Sequence, residues 1–256
     1  MKSKPNFLFK GGNLKYTAFF LGLISSLGYA PFHFFPITIF SYLFLIYLFT
    51  KKLNHGSKVF LISFSYALGS HLGLLYWIAI SFVTANSGGY VAGGLAVLIL
   101  ASFLSIFTAL SFHLLFKYFE NYKKISFGLS FVFLFSLFDW LKGNILWGFP
   151  WTPISSLWVF DSNVLYPFSI VGVWGYCLVT YSLIISIFYF FFDVKKAVIF
   201  ALPFFLVFVI LPKLLMTEEK VVDSLQIRLI QPNIKQEDKW EKTKFQENYI
   251  KITDLI

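Results

Sequence analysis

The sequence predicts a membrane-embedded, all-α helical bundle of seven transmembrane helices, followed by the first strand and helix of an α/β domain. Three observations carry this reading. The chain is 58% hydrophobic and 13% charged, where a soluble domain has about 45–50% and about 25%. Its apolar residues gather into seven runs, at 14–30, 36–50, 59–80, 89–116, 125–141, 163–192 and 196–213, and crossing a bilayer core takes about 20 apolar residues in a helix. Past Pro212 the apolar runs stop and charge becomes frequent. The boundaries expected are a seven-span domain over 1–213 and the incomplete start of a second domain over 214–256.

The first run follows a basic N-terminus, the outline of a signal peptide. Gly28-Tyr29-Ala30-Pro31 has no small-x-small cleavage pattern, so the run is read as a retained helix. Two runs, 36–50 and 196–213, are short, and the second carries Pro203, which a membrane helix tolerates as a kink. Gly89 and Gly93 form a small-xxx-small pair that lets helices approach. The 35 Phe are read as lipid-facing residues rather than as a site.

The net charge of +9 raises the possibility of nucleic acid, but its distribution points to a membrane. Lys2, Lys4, Lys10 and Lys15 precede the first run. Lys51, Lys52 and Lys58 follow the second, Lys117, Lys123 and Lys124 the fourth, and Lys195 and Lys196 the sixth. The alternate connections, 31–35, 81–88 and 142–162, hold Lys142 alone. The positive-inside rule then places the N-terminus in the cytoplasm and everything after Pro212 outside. Trp77, Trp140, Trp147, Trp151 and Trp158 fall on the outer side, as interfacial tryptophans do, and suggest a lipid-handling surface there.

Within that pattern one stretch concentrates the polarity, Phe138 to Trp151. Asp139 and Lys142 stand one helical turn apart, and Trp140, Trp147 and Trp151 flank Gly143, Gly148 and Pro150. The bland expectation for Asp139 and Lys142 is an interfacial helix-surface ion pair, worth under about 1 kcal/mol. No Asp, Glu, Lys or Arg is expected deep inside a span, which argues against an ion-coupled transporter. His71 is expected to be a neutral packing residue. His33, His55 and His113 lack ligand spacing, so no metal site and no cofactor are expected. Cys177 lies well inside the sixth run, where a thiol resists ionisation and behaves as a small hydrophobe. As the one cysteine, it cannot form an internal disulfide.

In the tail, Leu225, Ile227 and Leu229 alternate with Gln226 and Arg228, the period of a strand. Asp238 and Glu241 are a plausible capping pair. Phe245, Tyr249, Ile252 and Ile256 mark one face of a helix. One strand and one helix bury too little to fold alone, so the chain reads as the front part of a longer protein.

Four stretches, in order, resemble one family. Asp139-Trp140-Leu141-Lys142-Gly143 followed by Gly148-Phe149-Pro150-Trp151 is similar to the Glu-Trp-Leu-Arg-Gly and Gly-Phe-Pro-Trp signature of the apolipoprotein N-acyltransferases. Ala30-Pro31-Phe32 with Pro36 resembles their first outer turn, and Phe168 to Gly175 the opening of the next helix. Ile227 to Trp240 resembles the first strand and loop of their periplasmic carbon-nitrogen hydrolase, or nitrilase-like, domain. Asp139 and Lys142 replace Glu and Arg, which keeps the charge but loses the bidentate fork of arginine.

The resemblance implies an inner-membrane acyltransferase of lipoprotein biosynthesis. It would move an acyl chain from a phospholipid to the diacylglyceryl-modified N-terminal cysteine of a lipoprotein, through a thioester on a catalytic cysteine aided by a glutamate and a lysine. The members of that triad would lie beyond Ile256, so the chain is expected to be inactive alone. Phe149, Pro150 and Trp151, with Asp139 and Lys142, would shape lipid access, and Trp240 would sit on a loop over the site. Two other readings compete: a transporter or channel subunit, and a partner subunit of another lipid-linked pathway.

Overall fold

The computed structural model describes residues 13–52, 56–85, 87–119, 121–215, 227–235 and 237–255. The helices are α1 (Asn13–Ser25), α2 (Phe35–Lys52), α3 (Gly56–Leu75), α4 (Ile78–Thr84), α5 (Gly89–Tyr118), α6 (Ile125–Asn144), α7 (Ser162–Leu165), α8 (Phe168–Phe190), α9 (Val194–Phe205), α10 (Leu211–Leu215) and α11 (Phe245–Thr253). They form two compact units, one of Met1–Leu75 with Leu98–Leu215 and one of Tyr76–Val97 with Met216–Ile256.

All seven apolar runs are helical, but five reach spanning length and apolarity: Lys58–Leu75, Gly89–Tyr118, Ile125–Asn144, Phe168–Phe190 and Val194–Leu214. Among the described residues the structure thus shows five such helices of the seven spans expected. The described part of α1 has 13 residues, about 20 Å, where the hydrocarbon core is about 30 Å. It stops because the chain tightens into a 3₁₀ turn at Ser26–Gly28. Phe35–Lys51 is a shorter apolar helix. The last span is a composite. Pro203 removes a backbone donor, and the helix continues through a π-type stretch at Leu206–Ile210 before α10.

In the first unit the core is a ladder of aromatic rings. Phe112, Phe127 and Phe131 are fully buried. Phe135 lies 4.7 Å from Phe112 and 4.5 Å from Phe131, while Tyr42 meets Phe135 edge-on at 5.8 Å. Edge-to-face and tilted pairs at such spacings add attraction beyond burial. Part of the phenylalanine thus packs helix against helix, while Phe20, Phe40, Phe133 and Phe205 are exposed as expected. The closest helix crossing is α1 on α3. A Cβ on Gly22 would lie 1.8 Å from the Tyr66 carbonyl oxygen, and one on Gly69 2.1 Å from that of Phe19. Glycine is what allows the two backbones to touch. Of the pair expected to do this, Gly93 abuts Ala79 but Gly89 meets nothing within 4 Å.

The connections of this unit sort to two ends. At one end the 29–35 turn meets the 152–160 segment, with Phe35 stacked on Phe160 at 5.8 Å and tilted against Trp158 at 5.2 Å. At the other, the end of α2, the α5–α6 connection and the α8–α9 connection converge. There the Lys51 ammonium lies 5.7 Å from the Tyr122 ring, Tyr122 packs on Phe192 at 5.8 Å, and the Tyr189 hydroxyl donates to the Lys124 carbonyl at 2.7 Å.

In the second unit, the strand expected around 225–229 is not seen in its described residues, 227–229. Leu225 and Gln226 lie outside the described residues, and Ile227 to Leu229 form no ladder. Ile227 and Leu229 are exposed, since an alternating segment becomes a strand only beside a partner, and no strand occurs among the described residues. The expected helix is present as α11, with Phe245, Tyr249 and Ile252 exposed on its surface. Asp238 does not cap it. Asp238 and Glu241 belong to the preceding turns, where the Glu241 N–H donates to the Asp238 carbonyl at 3.4 Å, and α11 is entered from a 3₁₀ turn at Lys242–Lys244.

Candidate functional site

The C-terminal end of α6 and the loop after it form one pinned structure. Asp139 and Lys142, a turn apart on α6, make an ion pair of 2.8 Å with side chains only 9% and 4% exposed. This corrects the expectation of a surface pair, and it puts charge inside the bundle where none was expected. The second oxygen of Asp139 accepts from the Ile154 N–H at 3.3 Å and from the Tyr181 hydroxyl at 2.9 Å. The Lys142 ammonium donates to the Thr152 carbonyl at 3.2 Å. The pair thus spends its remaining hydrogen-bonding capacity on the backbone of the loop and on α8. A buried ion pair persists only when its other lone pairs and protons are satisfied in this way.

Between those anchors the loop turns tightly. The Gly148 N–H donates to the Ile145 carbonyl at 2.8 Å and the Phe149 N–H to the Lys142 carbonyl at 2.9 Å. Gly148 has φ +73°, and a Cβ there would stand 2.0 Å from the Gly143 carbonyl oxygen. Only glycine fits, which explains why the Gly-Phe-Pro-Trp stretch begins as it does. Leu146 holds φ +53° without being glycine, a conformation that costs about 1–3 kcal/mol and persists where the surroundings over-determine it. The loop therefore presents a fixed apolar face: Leu146, Pro150 and Trp151 are exposed, Trp151 at 61%, and Phe149 lies half-buried 6.4 Å from the Trp151 ring.

Trp158 departs from the expected belt. It is buried, its indole N–H donates to the Thr180 hydroxyl at 2.8 Å, and its ring packs on Phe208 at 4.8 Å. It fixes the far end of the loop to α8. Trp77, Trp140 and Trp151 are exposed as expected. Cys177 is fully buried on α8, its thiol 3.5 Å from the Ser155 hydroxyl.

Beneath the loop, His71, Asp139, Lys142, Tyr66 and Tyr181 line a cavity of about 20 Å³. That holds about one water and no acyl chain. His71 is buried, with Nδ1 2.8 Å from the Ala67 carbonyl oxygen and 3.3 Å from the Ser105 hydroxyl, so it is a hydrogen-bonded packing residue. The cluster is a clamp, and its chemistry is the holding of the loop above it. Trp240 belongs to the other unit, on a turn, 81% exposed, with the Lys239 ammonium 5.7 Å from its ring.

The family model of the apolipoprotein N-acyltransferase N-terminal domain matches residues 21–186. The chain belongs to that family. Curated relatives named apolipoprotein N-acyltransferase align with most of it. That of Rickettsia typhi is 27% identical over 91% of this chain and 47% of the relative, and that of Wigglesworthia glossinidia brevipalpis 29% identical over 94% and 48%. That of Vibrio cholerae is 26% identical over 58% and 28%. The chain spans about half the length of the first of these relatives. The apolipoprotein N-acyltransferase domain match contains the Asp139–Lys142 clamp, the 145–158 loop and Cys177, whereas Trp240 lies outside it.

The partners of the clamp were not legible beforehand. Tyr181, Thr152 and Ile154 join it from other segments, through a hydroxyl and two backbone groups that no motif marks. Trp158 could have been suspected from its place beside Ser155, Ser156 and Leu157 in a segment more apolar than a surface loop requires.

Proposed function

We propose that this chain is the lipid-access half of an apolipoprotein N-acyltransferase. Its 145–151 loop guides a phospholipid acyl donor and a diacylglyceryl-modified lipoprotein toward a catalytic centre formed by residues outside these 256. The observation that carries this reading is the pinned loop. A buried ion pair spends its hydrogen bonds on loop backbone and thereby holds Leu146, Pro150 and Trp151 out as a fixed apolar face. An acyl chain is recognised by apolar area, and a face fixed in advance loses little entropy on binding it. The lysine-poor end of the bundle then faces the periplasm, by the positive-inside rule, so the loop meets the outer leaflet of the inner membrane. Cys177 is sealed in the core against Ser155 and takes no part as a nucleophile, and the Asp139–Lys142 clamp holds the loop without touching the acyl group. Trp240 is proposed to contact substrate from the second unit.

The test is N-acylation of a diacylglyceryl lipoprotein in membranes that hold this chain as their sole candidate acyltransferase. No turnover is expected, and turnover above background would sink the reading. Joined ahead of the remaining half of the Rickettsia typhi relative, the chain is expected to support acylation. There, Trp151→Ala is expected to lower kcat/KM about tenfold, equivalent to about 1.4 kcal/mol of lost contact, with the melting temperature unchanged.

A further inference from the structure

The end of the first unit opposite the loop carries a second lipid-shaped feature. One face of α2 and the last turn of α8 with the residues after it, Phe191 and Phe192, enclose an open groove of about 690 Å³, within the size range of small-molecule sites. Phe40, Phe44 and Tyr47 of α2 line its length. Phe40 and Phe191 are largely exposed, at 68% and 78%. From Phe40 to Lys51 the helix rises about 16 Å, close to the hydrocarbon depth of one leaflet, about 15 Å. The apolar wall ends at Lys51 and Lys123, with the Thr50 and Tyr122 side chains between them.

Among the described residues the charge at that end is mostly positive. Lys51 and Lys123 are exposed and stand among Lys117, Lys124, Lys195 and Lys196. Among the described residues the acid of this end is Asp193, and it is already paired with Lys196. The Lys51 ammonium instead lies over the Tyr122 ring at 5.7 Å, and both line the groove. A hydrocarbon slot one leaflet deep, closed by two ammonium groups that form no ion pair among the described residues, matches a lipid with a long acyl chain and an anionic headgroup. Basic pockets between membrane helices bind such headgroups.

We propose that this groove is a binding site for an anionic phospholipid of the leaflet at the lysine-rich end. An acyl chain lies along Phe40, Phe44 and Tyr47, and the phosphate sits between Lys51 and Lys123. This site is at the far end of the bundle from the 145–151 loop, and its occupant is a resident lipid rather than a substrate. It stands whether or not the acyl-transfer reading does.

The test uses the full chain in nanodiscs of phosphatidylcholine containing a minor fraction of phosphatidylglycerol that bears a photoreactive group on its acyl chain. Crosslinks read by peptide mass spectrometry are expected on Phe40–Tyr47 and Phe188–Phe192. Labelling is expected to fall by about tenfold or more in Lys51→Gln/Lys123→Gln, since each lysine contributes roughly fivefold to attraction for an anionic lipid. Phe44→Trp, which narrows the slot, is expected to reduce labelling with helicity by circular dichroism unchanged. The proposal is overturned if photoreactive phosphatidylcholine labels the same residues equally, if labelling spreads evenly over all lipid-facing helices, or if a bifunctional crosslinker added to the same nanodiscs joins two copies of the chain through Phe40–Tyr47. N-acylation is not read in this experiment, so its outcome is separable from that of the acyl-transfer tests.

Discussion

Two ion pairs of identical spacing stand at opposite ends of the bundle, and they serve different purposes. Asp139–Lys142 and Asp193–Lys196 are both an aspartate followed by a lysine three residues on. The first closes α6, is buried, and has its other polar contacts in the loop and on α8. The second opens α9 at the lysine-rich end and is partly open to solvent. There Asp193 accepts from the Lys196 backbone N–H at 3.2 Å as an N-cap and pairs with the Lys196 ammonium. The first is tertiary, since it joins segments far apart in the chain. The second is local, since it finishes one helix. Spacing alone assigns them the same energy, and burial separates them.

The largest effect is expected from breaking the tertiary pair. Lys142→Ala leaves a buried carboxylate unpaired and releases Thr152, which should cost about 3–5 kcal/mol. Asp139→Leu/Lys142→Leu removes both charges and should cost less than either single alanine. Reversible unfolding in mixed micelles measures both, and a double variant no more stable than the singles would show that the hydrogen bonds to the loop, rather than the charges, hold it.

Gly148→Ala comes next, at about 1–3 kcal/mol, because the new Cβ meets the Gly143 carbonyl oxygen at 2.0 Å. Faster protease cleavage confined to residues 145–158 would register the loosened turn, and an unchanged digestion pattern would show that the loop does not need this turn.

Trp158→Phe keeps the ring but leaves the Thr180 hydroxyl without its donor, a loss of about 1 kcal/mol. A melting temperature equal to wild type would make Trp158 interchangeable with any aromatic.

The smallest effect is that of the local pair, and it carries a pH signature. Hydrogen bonds from the Lys196 ammonium and backbone N–H hold the Asp193 carboxyl below the usual carboxylate range. Stability from a lowered carboxylate pKa is present above the unfolded value, about 3.9, and is lost as pH falls through the lower folded value. The melting-temperature gap between wild type and Asp193→Ala should therefore be flat from neutral pH to about pH 4 and should narrow below it. A gap that widens on acidification would reverse the assignment.

The contrast also marks how far the residues could be read in advance. That Asp139 and Lys142 face one side of a helix follows from their spacing. That the side is inward depends on Tyr42, Phe135 and Tyr181 surrounding it, and these come from three helices. Gly148 and Trp151 were legible as a kinked aromatic loop, because glycine and proline punctuate the chain wherever they stand. The sequence makes Trp158 an expected interfacial ring because tryptophan at a span end usually is one, but the fold buries it on Thr180 and Phe208. The strand expected at 225–229 is not shown among the described residues of that segment, 227–229, for a related reason. Alternation gives a segment two faces, but a strand also needs a neighbour to bond with.

By itself the sequence determined the membrane as solvent, the positions of the helices, the segregation of lysine to alternate connections and the family signature in the loop. These are properties of composition, period and local spacing, which each segment carries wherever it is placed. Only the tertiary structure decided which helices reach spanning length, which glycines bring backbones together, and which of two like-spaced ion pairs becomes a clamp. Those depend on what a residue meets from distant parts of the chain, and a contact between Asp139 and Tyr181 has no trace in the order of residues between them.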